Sequence, residues 1–321
     1  MNEIERLLHE GMISEDFLKQ EVRCDYTITS SMKKIWAIEL DLLLTFDKVC
    51  KKHGLKYYAI GGSLLGAARH QGIIPWDDDI DVMMMREDYD KLCEIAPLEF
   101  KQPYFFQTNY TDFGAYWGHA KLMNINTTCI LNLDRNHERD VTQGIFIDIF
   151  PEDNVVNDER LFNQQKKRAE FYRLWSKRFA NATKKANRLT PKRWVNIIYS
   201  FLVSFASPIN YRISIFLWKL FEKECKRYNN QKTEYISQLS FQFTKRWMQK
   251  KEDYKEIVFL PFEFTKIPVC INFDHALTML FGDWHKFVRG DSQHEGLYFD
   301  TDHPYPEYFR NIKNQKNRKM S

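Results

Sequence analysis

The chain has 321 residues, 15% of them aromatic and 28% charged, with a formal net charge of +4. That length allows one large domain or two smaller ones with a full core, and the near balance of charge excludes a polyanion binder acting by bulk electrostatics, so no nucleic-acid partner is expected. Six singly placed cysteines (Cys24, Cys50, Cys93, Cys129, Cys225 and Cys270) form no C-x-x-C pair, which speaks against a zinc knuckle or a disulfide framework.

The first residues, Met1-Asn2-Glu3-Ile4-Glu5, are acidic and carry no apolar run, so a cytoplasmic protein without a secretory leader is expected. Residues 1–31 read as an N-terminal extension. Over 32–53 the positions Ile35, Ile38, Leu42, Leu43, Phe46 and Val49 recur at helical spacing, with Gly54 where a C-cap belongs. A short strand over 55–60 leads to a Gly61-Gly62 turn, and Ser63 is placed to cap a brief helix ending near Arg69. A strand over 79–85 and a helix over 88–96, stopped by Pro97, come next. Further strands are expected over 104–108, 120–124 and 128–133. The most apolar one, over 144–150, should lie at the centre of a sheet and end at Pro151.

Interleaved strands and helices over 32–158 predict a catalytic core of the α+β class, a mixed sheet with flanking helices. Beyond it the character changes. Residues 166–193 are strongly basic, and 195–220 are apolar but interrupted by Pro208, Asn210 and Arg212. The uninterrupted part is shorter than the ~20 residues a membrane span requires, so 159–231 reads as a basic and apolar helical region containing two helices at 195–220. Residues 232–310 are expected to complete the catalytic domain, and 311–321 to form a disordered polar tail.

The chemistry concentrates at Trp76-Asp77-Asp78-Asp79-Ile80-Asp81-Val82. Four acids in five positions repel one another, and the last of them sit among residues that favour burial. In a strand, residues two apart share a face, so Asp79 and Asp81 should project together while Ile80 and Val82 pack the other way. Asp148, the lone charge among Ile145 to Phe150, would be buried and would either meet a cation or stay protonated, a structural pairing with a buried Arg or Lys being the bland reading. Together the three supply ligands for a divalent ion, and Asp148 is also a candidate general base. Gly61-Gly62-Ser63 at a helix start can offer backbone N–H groups to a phosphate, with Arg69 adding charge. A solvated acidic edge and an ordinary turn are the bland readings of these features.

The run from Gly61 to His70, the run from Gly72 to Val82, Arg86-Glu87-Asp88-Tyr89 and Phe146-Ile147-Asp148-Ile149-Phe150-Pro151 together resemble the signature of the LicD family. Weaker similarity continues at Leu260-Pro261-Phe262-Glu263 and Phe281-Gly282-Asp283, where Phe281 stands in place of a common tyrosine. The family includes bacterial phosphocholine transferases and is related to fukutin and the fukutin-related protein. The likeness covers about 32–155 and is poor over 160–230.

The resemblance implies a polymerase-β-like nucleotidyltransferase fold carrying a helical insertion. It also implies transfer of phosphocholine, or a similar phospho-alcohol, from a CDP-linked donor to a hydroxyl of a glycan or its lipid-linked precursor, with release of CMP. Lipopolysaccharide, teichoic acid and capsule are acceptors of that class. Asp79, Asp81 and Asp148 become metal-binding and catalytic acids for Mg2+, with Mn2+ an alternative. Gly61, Gly62 and Ser63 become the phosphate loop, and Lys121, Arg289 and His294 candidate phosphate neutralisers beside Arg69. A choline head group asks for aromatic rings, for which Tyr116, Trp117, Trp284 and Tyr298 are available. The basic stretch suits either a lid or a peripheral contact with the inner face of the membrane. Two rival readings are a nucleotidyltransferase that modifies a small molecule and releases pyrophosphate, and a non-catalytic protein that binds glycan or membrane.

Overall fold

A computed structural model describes residues 2–130, 141–187, 194–288 and 297–318. In chain order the elements are α1 (Glu3–His9), β1 (Glu21–Arg23), β2 (Tyr26–Ile28), α2 (Ser30–His53), β3 (Tyr58–Ala59), α3 (Gly61–His70), β4 (Asp81–Met85) and α4 (Arg86–Glu99). They continue as β5 (Tyr104–Gln107), β6 (Ala120–Asn124), β7 (Thr128–Ile130), β8 (Ile145–Val155), α5 (Glu159–Asn187), α6 (Trp194–Cys225), β9 (Tyr235–Ser237) and β10 (Gln249–Lys250). The last are β11 (Ile257–Phe262), β12 (Thr265–Cys270), α7 (Phe273–Phe281), β13 (Tyr298–Asp300) and α8 (Tyr305–Arg318).

The chain divides into two compact units. The first comprises 1–107, 119–151 and 252–321, and the second 108–118 and 152–251. In the first unit β8 lies between β6 and β4, with β5 beyond β6 and β3 beyond β4. Pairing of β3 with β4 sets Ala59 opposite Val82, and pairing of β6 with β8 sets Lys121 opposite Asp148. The core is built largely by α2, whose Ile35, Trp36, Ile38, Leu42, Leu43 and Phe46 are all buried. Thr29 Oγ1 accepts the Met32 N–H at 3.2 Å to cap this helix, and Gly54 closes it in the left-handed conformation. The period of its apolar residues and its glycine stop predicted this helix closely.

In the second unit α5 and α6 pack around Phe162, Ala169, Trp218 and Phe221, together with Tyr116, Leu239 and Phe243 from the connecting segments. Residues 108–118 and 232–251 therefore belong with the helices, not with the catalytic part to which the sequence reading gave them. The N-terminal 31 residues, read as an extension, belong to the first unit.

Three elements run through a proline expected to end or interrupt them. Helix α4 reaches Glu99 past Pro97, because that proline lies in the last turn, where the Phe100 N–H still reaches Ala96 O at 2.9 Å. Strand β8 reaches Val155 past Pro151, which falls between the stretch paired with β6 and the stretch paired with β9, so neither ladder asks it for an N–H. Helix α6 is a single 32-residue helix containing Pro208, not two helices. Helix α8 extends to Arg318 where a disordered tail was expected from Asn311. Residues 131–133, expected to continue β7, lie outside the described residues. Among the described residues no helix is long and apolar enough to cross a membrane.

Candidate active site

Glycines 61 and 62 are the first turn of α3 itself, with Ile60 at the N-cap, and not a turn ahead of the helix. Ser63 does not cap it. Its hydroxyl, 5% exposed, accepts the Asp81 N–H at 2.8 Å, which fixes the start of β4 against the start of α3. A Cβ on Gly62 would stand 2.5 Å from Asp77 Oδ2, so only glycine admits the acid loop this close to the helix. Backbone N–H groups at this helix start therefore face a region built of carboxylates.

The acids do not share one strand face. Strand β4 begins at Asp81, and Asp79 precedes it in the loop. Carboxylate oxygens of Asp77, Asp78 and Asp79 lie within 4.8 Å of one another, a spacing fit for a shared cation. The loop is held by main-chain contacts: Trp36 Nε1 donates to Asp77 O at 3.0 Å, and the Asp77 N–H donates to Ile74 O at 2.8 Å. Ile80 and Val82 are fully buried, as their alternation required, and the Asp148 N–H donates to Ile80 O at 3.0 Å.

Burial, then Asp79 and Asp78, push the Asp77 carboxyl up to about 8. Burial, then Asp79, Asp148 and Asp77, push Asp81 well above the ordinary carboxylate range, and Lys121 only partly offsets them. Asp148 goes the other way. Burial alone would raise it, but Lys121 Nζ and His119 Nε2, each 3.0 Å from Oδ1, hold it well below the usual range. Asp148 thus already has a cation in Lys121 and a hydrogen-bonding imidazole in His119, and a carboxylate so stabilised is a weak proton acceptor. The need for an additional positive charge falls on Asp77, Asp78, Asp79 and Asp81. A donor set made only of carboxylate oxygens suits a hard divalent ion such as Mg2+.

Among the candidate phosphate neutralisers, Lys121 lies on β6 with its Nζ 3.2 Å from the Phe146 ring centroid. Arg69 donates from Nε to His70 Nε2 at 3.0 Å, and its guanidinium lies 5.4 Å from the Phe287 ring centre. Arg289 and His294 lie outside the described residues. The four aromatic candidates are divided between the units. Tyr116 and Trp117 are in the second, where the Tyr116 hydroxyl bonds Ser214 Oγ, and Trp284 and Tyr298 are in the first. The rings that gather next to the acid loop are others: Trp76 stands 5.5 Å from Phe287, 6.2 Å from His70 and 6.0 Å from Tyr26.

Sequence reasoning passed over His119, Trp36 and Glu39. The last is 1% exposed, and burial followed by Asp79, Asp78, Asp77 and Asp81 raises its carboxyl well above the ordinary value. Its position was legible, because Glu39 follows Ile35 by four residues and precedes Leu42 by three, on the buried stripe of α2.

Comparison with known proteins agrees with this geometry. Residues 54–183 match the domain family described as LicD/FKTN/FKRP, nucleotidyltransferase domain. The lipopolysaccharide cholinephosphotransferase LicD of Haemophilus influenzae is 26% identical over 262 residues, 79% of this chain and 91% of that protein. An uncharacterized protein of Rickettsia prowazekii is 53% identical over 61 residues, 19% of this chain and 23% of its own length. The human ribitol 5-phosphate transferase FKRP is 55% identical over 46 residues, 14% of this chain and 9% of its own. Residues 54–183 thus match the LicD/FKTN/FKRP nucleotidyltransferase domain, and the chain is an enzyme of the phosphotransferase class.

Proposed function

We propose that this enzyme moves phosphocholine, or a closely similar phospho-alcohol, from a CDP-linked donor to a hydroxyl of a cell-surface glycan or its lipid-linked precursor. The observation that carries the reading is the carboxylate loop set against the N-terminus of α3, in a chain that aligns with 91% of a lipopolysaccharide cholinephosphotransferase. An acceptor hydroxyl oxygen attacks the phosphorus that bears the alcohol and gives up its proton. The bond from that phosphorus to the bridging oxygen breaks, and CMP leaves with the electron pair and, in the net reaction, takes up that proton.

A magnesium ion bound by Asp77, Asp78, Asp79 and Asp81 would neutralise the donor's phosphate oxygens, and manganese suits the same ligands. The chain's own groups do the rest. N–H groups of Gly61 and Gly62 bind phosphate oxygens at the helix start. Asp148 holds the Lys121 ammonium and the His119 imidazole in fixed positions, the ammonium facing developing negative charge. Tyr26, His70, Trp76 and Phe287 provide aromatic surface for the planar base or the quaternary ammonium group of the donor. A polymerase-β-like arrangement of the core fits this division of labour, with the binding groups on α3, the loop leading into β4, β4 itself, β6 and β8.

Incubation with CDP-choline, Mg2+ and lipopolysaccharide or another acceptor glycan should release CMP and add phosphocholine mass to the glycan. Asp81→Asn should lower that rate by on the order of a hundredfold or more while the protein stays folded. Release of pyrophosphate from nucleoside triphosphates, with none of CMP from CDP-choline, would replace this reading with nucleotidyl transfer to a small molecule.

A further inference from the structure

Helix α2 carries a carboxylate on its buried face. Glu39 is 1% exposed and lies between Ile38 and Leu40, both fully buried. Its Oε2 meets no hydrogen-bond donor among the described residues. The charges that act on it most strongly are all of its own sign: Asp79, Asp78, Asp77 and Asp81. Lys121 and His119, on the β6 side of this site, are engaged with Asp148. Trp36, one helical turn before Glu39, donates Nε1 to Asp77 O at 3.0 Å, which sets this face of α2 against the acid loop. A buried carboxylate there is retained only where something positive satisfies it.

We propose that Glu39 belongs to the cation site, a carboxylate supplied by α2 whose unpartnered oxygen is satisfied by the divalent ion bound among Asp77, Asp78, Asp79 and Asp81. The proposal rests on the reading that those acids hold such an ion. It makes two opposed demands on one side chain. In the ion-free protein Glu39 costs stability, because it must be ionised among like charges or held protonated, and in the loaded protein it adds attraction. A glutamic acid kept only for packing does neither.

The test uses the full chain with Mn2+ as probe. Paramagnetic resonance of free Mn2+ gives affinity, and thermal unfolding is followed with chelator and again with Mg2+. Glu39→Gln and Glu39→Leu should both raise the melting temperature of the ion-free protein. They should also weaken Mn2+ binding by about tenfold or more and shrink the stabilisation that Mg2+ gives. The leucine variant suits its apolar neighbours and keeps the comparison open should the glutamine variant not fold. Mn2+ affinity within about twofold of the parent in either folded variant overturns the role of Glu39 and leaves the metal reading standing. Absence of Mn2+ uptake by the parent protein, with or without CDP, overturns both.

Discussion

Gly62 and Asp77 are neighbours through space because one of them has no side chain. Gly62→Ala would press a methyl group against the Asp77 carboxylate, the movable end of a side chain, so the loss of stability should stay within roughly 1–3 kcal/mol. The site should suffer more, with Mn2+ affinity reduced by about tenfold or more, measured beside the melting temperature. His70 offers a second test at this scale. Burial first, then Arg69 and Arg23, depress its imidazole from 6.5 to about 4 in the folded protein. The unfolded chain therefore binds the extra proton at higher pH than the native one does, and protonation favours unfolding. Stability from this source is complete above about 6.5 and is lost as the pH falls from about 6.5 to about 4. His70→Gln should flatten the melting temperature across that window, and an unchanged slope would remove His70 from the account.

One exchange of bonds anchors the loop between α3 and β4. The Glu263 carboxylate accepts Arg23 Nη1 at 2.6 Å, Arg23 Nη2 at 2.8 Å and the Ile73 N–H at 3.0 Å. The Glu263 N–H donates to Gln71 O at 2.9 Å, and a Cβ on Gly72 would collide with Glu263 Oε1 at 2.3 Å. Glu263→Ala leaves the half-buried Arg23 guanidinium with Glu21 alone, 2.7 Å away, strips the Ile73 N–H of its acceptor, and should cost about 1–3 kcal/mol. Glu263→Gln keeps an acceptor for Ile73 and should lose less, a ranking that urea unfolding reads directly. The element pattern from α2 to β8 was legible because each periodic run ended at a glycine, a proline or a polar break, whereas β1 and β2, three residues each, are too short to show a period. Pro97, Pro151 and Pro208 misled because tertiary position decides whether a missing N–H matters. At the site, Asp79, Asp81, Asp148 and the glycines were legible as a motif. The pairing of Asp148 with Lys121 depends on β6–β8 register, and the bond from Ser63 to Asp81 on the approach of α3 to β4. Neither register nor helix approach is written in a local run of residues.

At the scale of the whole molecule, the two long helices of the second unit expose large apolar side chains. On α5, Phe171 and Leu174 are 54% and 50% exposed, and on α6, Phe216 is 60% exposed. Lys166, Lys167 and Arg178 lie among them on α5, with the Arg178 guanidinium 4.9 Å from the centre of the Trp175 ring. Exposed rings beside cations match an anionic bilayer surface, where a lipid-linked acceptor would be met. The protein should co-sediment with vesicles containing phosphatidylglycerol and much less with neutral ones. Phe171→Ala combined with Phe216→Ala should reduce that binding several-fold without altering CMP release from a soluble acceptor. Equal sedimentation with both kinds of vesicle would leave these rings without that role.

The contact between Arg23 and Glu263 joins residues 240 positions apart. During synthesis residue 263 must therefore emerge before the Gly72–Ile73 segment gains its clasp. A nascent chain halted between residues 148 and 263 already contains every aspartate of the motif and still lacks the brace that sets their loop. Chains shortened ahead of residue 263 should consequently fail to capture Mn2+, so competence for chemistry waits on a residue far downstream of the motif.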